Sequence, residues 1–342
     1  MLSKEEKINS VLTKIAKIVD PVIEKLLNFY VDPKYRDIVK YQIFTGGKRL
    51  RPALAIVCCR LFGGKINDVL YPAAGCEILH NYSLILDDIV DEGPIRRNRI
   101  TLWQKYGKAI AECISIDYVA SAFEAANHSK YSKEISELYV NTAKTAVNGE
   151  ILDLLFETKE RKNEPYLKKK KHHQINVKDY LKIVGMKTAV VFQACCEIGG
   201  ICARANKEEL ENLRKFGFNL GIAGQIRDDI LDIFGKREKF GKEITHDIKE
   251  GKLGNIVIVY ALEKIGQNEK ENLLKIMKDG NLSENEIKRA VEIIEESGAL
   301  KKAQKLAERF ANKAKNFLKI FPENKWKKIL LDLSDFMVER YY

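Results

Sequence analysis

The sequence predicts an all-α protein, a single-domain antiparallel helix bundle. Three observations lead there. Apolar residues recur at three- and four-residue steps almost throughout the 342 residues, which is the period of a helix packed on one face. Alternating strand patterns are nearly absent. Only seven prolines occur, and Pro33, Pro52, Pro94, Pro165 and Pro322 fall where helical periods break. With 45% apolar residues a substantial core can form, and no linker long enough to divide the chain is present, so residues 1–342 read as one domain.

The elements follow in order. A first helix is expected over 4–30. Pro33 after Asp32 opens a second over 34–45, and Pro52 suits the first turn of a third over 52–62. An apolar helix over 67–91 ends before Gly93-Pro94. Helices are expected over 101–128 and 132–158, then a basic stretch over 159–175, holding Pro165, reads as an exposed, mobile loop. Further helices are expected over 176–204, 207–234, 253–266, 269–279, 283–297, 299–320 and 324–340, with Pro322 dividing the last two.

Two aspartate motifs of identical spacing interrupt this apolar background: Asp87-Asp88-Ile89-Val90-Asp91 and Asp228-Asp229-Ile230-Leu231-Asp232. On a helix, residues four apart stack on one face and the next residue lies ~100° round, so Asp87 and Asp91 project together with Asp88 beside them. The second motif repeats that geometry. Clustered carboxylates on an apolar helix are costly unless a positive partner neutralises them. Two such clusters suggest two walls of a site for hard cations, and oxygen ligands of this kind suit magnesium bridged to phosphate. A charged helix surface would account for one such motif, but two of identical spacing in apolar sequence argue against it.

Cations gather near the first motif. Gly46-Gly47-Lys48-Arg49-Leu50-Arg51-Pro52 joins a glycine turn to a helix start, a cradle for phosphate. Arg96-Arg97 follows on the loop after Gly93-Pro94 and is suited to bidentate phosphate contacts, or to pairing with Asp91 and Glu92. The net charge of +11 admits nucleic acid, membrane or an anionic small substrate. No nucleic-acid motif accompanies it, so no nucleic-acid partner is expected. The run Lys168-Lys169-Lys170-Lys171-His172-His173 and the Lys-rich stretch from Lys301 to Lys328 read as solvated faces. The first of them would also suit peripheral contact with anionic lipid. Seven cysteines, including Cys58-Cys59 and Cys195-Cys196, lie in apolar helical sequence without metal-ligand spacing and read as reduced core residues of a cytoplasmic protein. The start, Met1 to Lys7, is charged and reads without a signal peptide, and no apolar run approaches the ~18 residues of a membrane span.

Taken together, Gly46 to Pro52, Asp-Asp-x-x-Asp followed by Arg96-Arg97, Lys187-Thr188, Gln225-x-x-Asp228-Asp229-x-x-Asp232, and Gly241-Lys242 with Asp247 resemble the trans-prenyltransferases, the head-to-tail isoprenyl diphosphate synthases. The order matches over about residues 10–340. The resemblance implies a helix bundle around a deep central cavity. It also implies ionisation of an allylic diphosphate, attack by the double bond of isopentenyl diphosphate, and loss of a proton. Developing charge on the leaving diphosphate calls for preplaced metals and cations, and the carbocation for an apolar, dry cavity.

Carried onto this chain, the resemblance makes Asp87, Asp88, Asp91, Asp228 and Asp232 ligands of Mg2+, three ions per site, with Asp229 in a supporting role. Arg96, Lys187 and Lys242 would contact the allylic diphosphate. Lys48, Arg51, His80 and Arg97 would hold isopentenyl diphosphate. Thr188 and Gln225 would lie beside the reacting carbons, and Lys252 would close over the site. Dimethylallyl, geranyl and farnesyl diphosphates are the expected primers, and a homodimer the expected assembly. For His80, Lys187 and Thr188 taken alone, core packing, snorkelling and helix capping are the plainer readings.

The chain departs from the family pattern at Gly224, where a Phe is usual, at Asn98 and at Thr245-His246, where glycine or serine is usual, and at Ile116-Asp117-Tyr118. Chain length in this family is set below the first motif. Tyr82, five residues before Asp87 and beside Ser83, would stop growth at about twenty carbons, as in archaeal-type geranylgeranyl diphosphate synthases. Ile78 and Leu79 one turn lower, with Ala109 and Ser115 on the next helix, would allow leakage to longer products. Two other readings share much of this pattern: a terpene cyclase, disfavoured by the intact second motif, and a non-catalytic synthase-like subunit, supported mainly by Gly224.

Overall fold

Helix α1 (Lys4–Asn28) buries Ile8, Leu12, Ile15, Val19, Ile23, Leu26 and Leu27, a stripe at steps of three and four that continues through Pro21. The computed structural model describes residues 4–158, 161, 164–235, 245–279 and 282–339. Among them helix dominates, as the apolar period predicts. The backbone divides into two compact units, residues 1–143, 191–218 and 314–336, and residues 144–190, 219–313 and 337–342.

In the first unit α2 (Arg36–Tyr41), α3 (Leu50–Leu61), α4 (Ile66–Val90), α5 (Leu102–Tyr106) and α6 (Lys108–Asn127) follow α1. Helix α4 packs against α1, α3 and α6. Its buried residues run from Val69 to Ile89 and include the polar Glu77, Asn81 and Asp88. The α7 helix (Ser132–Leu154) begins here, and Tyr139 donates its hydroxyl to Pro72 O of α4 at 2.5 Å. Helix α10 (Val190–Cys202) lies close enough on α3 that a Cβ at Gly199 would overlap Ala55 O. The start of α11 (Lys207–Phe234) and much of α17 (Lys325–Glu339) complete this unit.

The second unit holds the end of α7, α8 (Pro165–Lys170), α9 (Val177–Val184) and the second half of α11. It continues with α12 (His246–Lys249), α13 (Ile256–Lys264), α14 (Gln267–Lys278), α15 (Glu284–Glu296) and most of α16 (Ala299–Phe317). Helix α13 is buried from Ile256 to Leu262 and packs on α9 and α15. Capping boxes start α9 at Asn176 and α15 at Ser283.

Five expectations are modified. The 101–128 helix is two helices, because Gly107 takes φ 91° between them. The 34–45 helix is α2 between two short 3-10 turns, Pro33–Tyr35 and Ile43–Thr45. The 176–204 helix is broken by a π-helical turn, Gly185–Ala189. A short hairpin pairs Ile95 with Ile100 and Arg96 with Arg99. Its central residues Arg97 and Asn98 both have positive φ, 53° and 60°, as a tight primed turn requires. Asn tolerates that region best after Gly, which accounts for Asn98 where the family usually has glycine. Inside the expected 159–175 loop, 165–170 form α8, while 159, 160, 162 and 163 lie outside the described residues. No described helix is long and apolar enough to cross a membrane.

Candidate active site

In the first unit the Asp87 motif occupies the last turn of α4, with Asp91 as its C-cap. A helix C-terminus already carries partial negative charge, so three carboxylates there raise the demand for a cation. The hairpin supplies one. Arg96 donates from Nη2 to Asp87 Oδ2 at 2.6 Å and from Nε to Asp88 Oδ1 at 2.5 Å. Burial works against the charge on Arg96, but Asp87 and Asp88 raise its pKa and hold it protonated. The Arg96 and Asp88 side chains are 11% and 4% exposed, so this is a poorly hydrated pair.

His80 lies two turns earlier on α4, half-buried. Burial and the guanidinium groups of Arg51, Arg97 and Arg96 push its pKa well below the usual histidine range, with Asp87 opposing, so the imidazole is neutral. Burial, and the cations Arg96, Arg49 and Arg51, also pull Arg97 down to about 10 against the attraction of Glu77. Several guanidinium groups therefore crowd one small volume beside a neutral histidine. Arg97 Nη1 donates to Gly46 O. Gly46 and Gly47 take φ 109° and 134°, and a Cβ at Gly47 would stand 2.9 Å from both Arg49 Nη1 and Arg97 Nη1. The glycine turn is thus what lets two guanidinium groups approach the backbone.

The three cations of this turn separate. Arg49 is 5% exposed and turns inward to Asp20 at 2.7 Å, Glu77 at 3.4 Å and Ile43 O at 2.9 Å, a structural role. Lys48 is exposed, with Nζ 5.0 Å from the centre of the Phe336 ring. Arg51 has its guanidinium 5.2 Å from the centre of Phe192. On the expected chain-length face, Ile78 is fully buried, Leu79 and Tyr82 are half-buried, and Ser83 is exposed with its hydroxyl on His80 O at 2.8 Å. Burial raises the Tyr82 phenol. Ser115 is buried and Ala109 is exposed.

In the second unit the π-helical turn carries Lys187 and Thr188. Extra-wide turns of this kind re-aim side chains. Gly149 of α7 admits it closely, since a Cβ there would stand 2.6 Å from Lys187 N. Lys187 Nζ then reaches Glu150 at 2.6 Å and Asp153 at 3.0 Å. Thr188 donates to Gln225 Oε1 at 3.0 Å, and Gln225 Nε2 donates to Asp229 Oδ1 at 2.9 Å. Asp229 also accepts Ile256 N at 3.0 Å on Oδ2. Burial, then the nearby Asp247, push Asp229 up to about 8 against these hydrogen bonds. Asp232 accepts the amides of His246 at 3.2 Å and Asp247 at 3.1 Å. Asp228 is half-buried. Lys252 N donates to Asp247 O at 2.8 Å, and its segment pairs with Glu157. Lys242 lies outside the described residues.

Gly224 has a physical explanation. A Cβ at this position would overlap Met337 Cε of α17, so the methionine fills the volume that the glycine leaves. Sequence reasoning did not find Met337, nor Glu150, Asp153, Tyr180 and Asn255. Only Glu150 and Asp153 carried a signal, an acid pair three apart in otherwise apolar sequence.

Among the described residues no three histidine, cysteine or acidic side chains converge on a metal position. The donor chemistry nevertheless fits a hard divalent cation, because the Asp87-Asp88 pair already draws a positive group, Arg96, into its angle.

The polyprenyl synthetase family model matches residues 32–294, most of the chain. The chain belongs to the polyprenyl synthetase family. A short chain isoprenyl diphosphate synthase of Methanocaldococcus jannaschii is 34% identical, with 94% of each chain covered. A geranylgeranyl diphosphate synthase of Saccharolobus solfataricus is 32% identical over 95% of this chain and 96% of its own. A geranylfarnesyl diphosphate synthase of Aeropyrum pernix is 32% identical over 87% and 92%. A solved polyprenyl synthase of Caulobacter crescentus, complexed with calcium and isoprenyl diphosphate, superposes with TM-score 0.87 at 30% identity, covering 98% of each chain. The fold is therefore the all-α isoprenoid synthase fold, and this family member is a prenyltransferase of the trans-prenyl diphosphate synthase type.

Proposed function

We propose that the enzyme condenses isopentenyl diphosphate head-to-tail with an allylic diphosphate in a Mg2+-dependent reaction and releases geranylgeranyl diphosphate. The observation that carries this reading is the crowd of Arg51, Arg96 and Arg97 around neutral His80, next to the Asp87 motif. Like charges held that close in a poorly hydrated volume suit a polyanion. Lys48, Arg51 and Arg97 hold the isopentenyl diphosphate, with neutral His80 beside it. Arg96 and Lys187 hold the allylic diphosphate. Asp87, Asp88, Asp91, Asp228 and Asp232 would hold Mg2+, which supplies charge neutralisation of the leaving diphosphate. The allylic C–O bond breaks with its electron pair leaving on diphosphate. The isopentenyl double bond attacks the carbocation, and a proton is lost to regenerate a double bond. Thr188 and Gln225 turn a fixed hydroxyl and carboxamide toward this chemistry.

Tyr82 is the proposed floor for the growing chain, with Ile78 beneath it. Incubation with Mg2+, isopentenyl diphosphate and each primer, then chromatography of the dephosphorylated products, tests both statements. A twenty-carbon product is expected from wild type, none after chelation, and longer products from Tyr82→Ala. Absence of elongation would remove the activity, and an unchanged product from Tyr82→Ala would remove the floor. We also propose a homodimer. Helix α6 leaves Ile110 at 42% and Ile116 at 70% exposed with Cys113 between them, an apolar stripe suited to a second copy. Sedimentation equilibrium reads this directly, and a monomer at micromolar concentration would contradict it.

A further inference from the structure

The Asp229 carboxylate, although part of the second aspartate motif, is spent inside the protein. Oδ1 accepts Gln225 Nε2 and Oδ2 accepts Ile256 N, at 2.9 and 3.0 Å. It is 3% exposed. At the start of α13, Asn255 Nδ2 donates to the Asp229 main-chain O at 3.1 Å and to Asp247 Oδ2 at 2.8 Å. Asn255 Oδ1 meanwhile caps α13 through Val257 N at 2.9 Å. The fully buried Tyr180 lies on the same carboxylate, which together with burial raises its phenol.

A carboxamide can sit either way round in a pocket of fixed shape, and its neighbours decide which. Asp229 decides here, because its Oδ2 is taken by Ile256 N and its Oδ1 accepts Gln225 Nε2. Gln225 must turn its NH2 to Asp229, which leaves Oε1 for the Thr188 hydroxyl at 3.0 Å. We propose that Asp229, braced by Asn255 and Ile256 N, is a positioning residue that sets the polarity of Gln225 and aims its oxygen dipole at Thr188, rather than a ligand of the metal ions. The inference rests on the proposed condensation, in which Gln225 and Thr188 lie beside the reacting carbons. A fixed negative dipole end there stabilises the developing carbocation without reorganisation.

Asp229→Asn keeps the shape and the acceptor for Ile256 N, but it presents an NH2 to an NH2, so Gln225 must flip. Combining it with Gln225→Glu restores one donor facing one acceptor and returns an oxygen to Thr188. Two readouts separate the outcomes. Mn2+ binding in the presence of inorganic pyrophosphate, followed by calorimetry, should stay within about twofold of wild type in Asp229→Asn and weaken at least tenfold in Asp228→Asn. Single-turnover condensation should fall about 10–100-fold in Asp229→Asn with KM values little changed, and recover at least fivefold in the double variant. A loss of Mn2+ binding in Asp229→Asn equal to that in Asp228→Asn would make it a ligand and overturn the proposal. So would a double variant no faster than the single one. If Asp229→Asn alone does not fold, a folded double variant with wild-type Mn2+ binding and activity supports the polarity role, and an inactive one overturns it. Wild type without elongation but with the stated Mn2+ pattern would remove the proposed function and leave the positioning geometry.

Discussion

Asp87 and Asp88 give their oxygens to the guanidinium of Arg96, whereas Asp229 and Asp232 give theirs largely to the backbone amides of Ile256, His246 and Asp247. Both motifs lie in the last turns of long helices, where the helix dipole adds to their charge. The first unit answers with a side-chain cation, Arg96, which under the proposed function exchanges between protein carboxylates and an incoming polyanion. The second answers with fixed main-chain dipoles. Identical letters in the sequence thus carry different work. The first motif is poised to trade partners, and the second holds a frame on which Asp228 and the oriented Gln225 are set.

The largest expected effect strikes the exchangeable side. Arg96→Gln should lower kcat/KM on the order of 10²–10³-fold, the cost of losing one preorganised charge-stabilising donor. It should also reduce metal-free stability by about 3 kcal/mol, because buried Asp88 loses its partner. Denaturant titration reads the second effect, and a variant as stable as wild type would show that the pair is not what holds the motif. Next comes Gly224→Ala. Overlap with Met337 Cε, the far end of a flexible side chain, should cost about 1 kcal/mol, and this cost should vanish when Gly224→Ala is made on a Met337→Ala background. Simple additivity of the two substitutions in a denaturation cycle would break the account of Gly224. It would also restore weight to the reading of a silent subunit, which rests on that glycine.

Much of this was legible in the sequence because its causes are local. Amphipathic steps announce α1, α9 and α15, and the spacing within each aspartate motif fixes which carboxylates share a face. What stayed hidden depends on partners distant in sequence or on backbone detail. Nothing near Lys187 marks the π-helical turn that aims it at Glu150 and Asp153. Nothing near Gly224 points to Met337. Arg49 belongs to the same short basic run as Lys48 and Arg51, yet its left-handed backbone, φ 52°, turns it inward to Asp20 and Glu77. The break at Gly107 was visible as a letter, but its positive φ decided the split.

The smallest effect concerns His80. Its folded pKa is lowered, while the unfolded chain takes up the proton near 6.5. The unfolded state therefore binds more protons as pH falls, so stability is complete above about pH 6.5 and declines below it, by at most about 1.4 kcal/mol per pH unit. His80→Gln should lose this component and show a flatter stability profile between pH 7 and 5. A variant with the wild-type slope would show that the guanidinium groups do not press on His80 as described.

Calorimetric titration of inorganic pyrophosphate into the wild-type protein, with and without Mg2+, tests the central claim most directly. Arg51, Arg96 and Arg97 beside the Asp87 motif should bind the metal–diphosphate complex at least tenfold more tightly than pyrophosphate alone. Equal affinity in both titrations, or no binding in either, would contradict a site built from these arginines and aspartates for a metal-bound diphosphate.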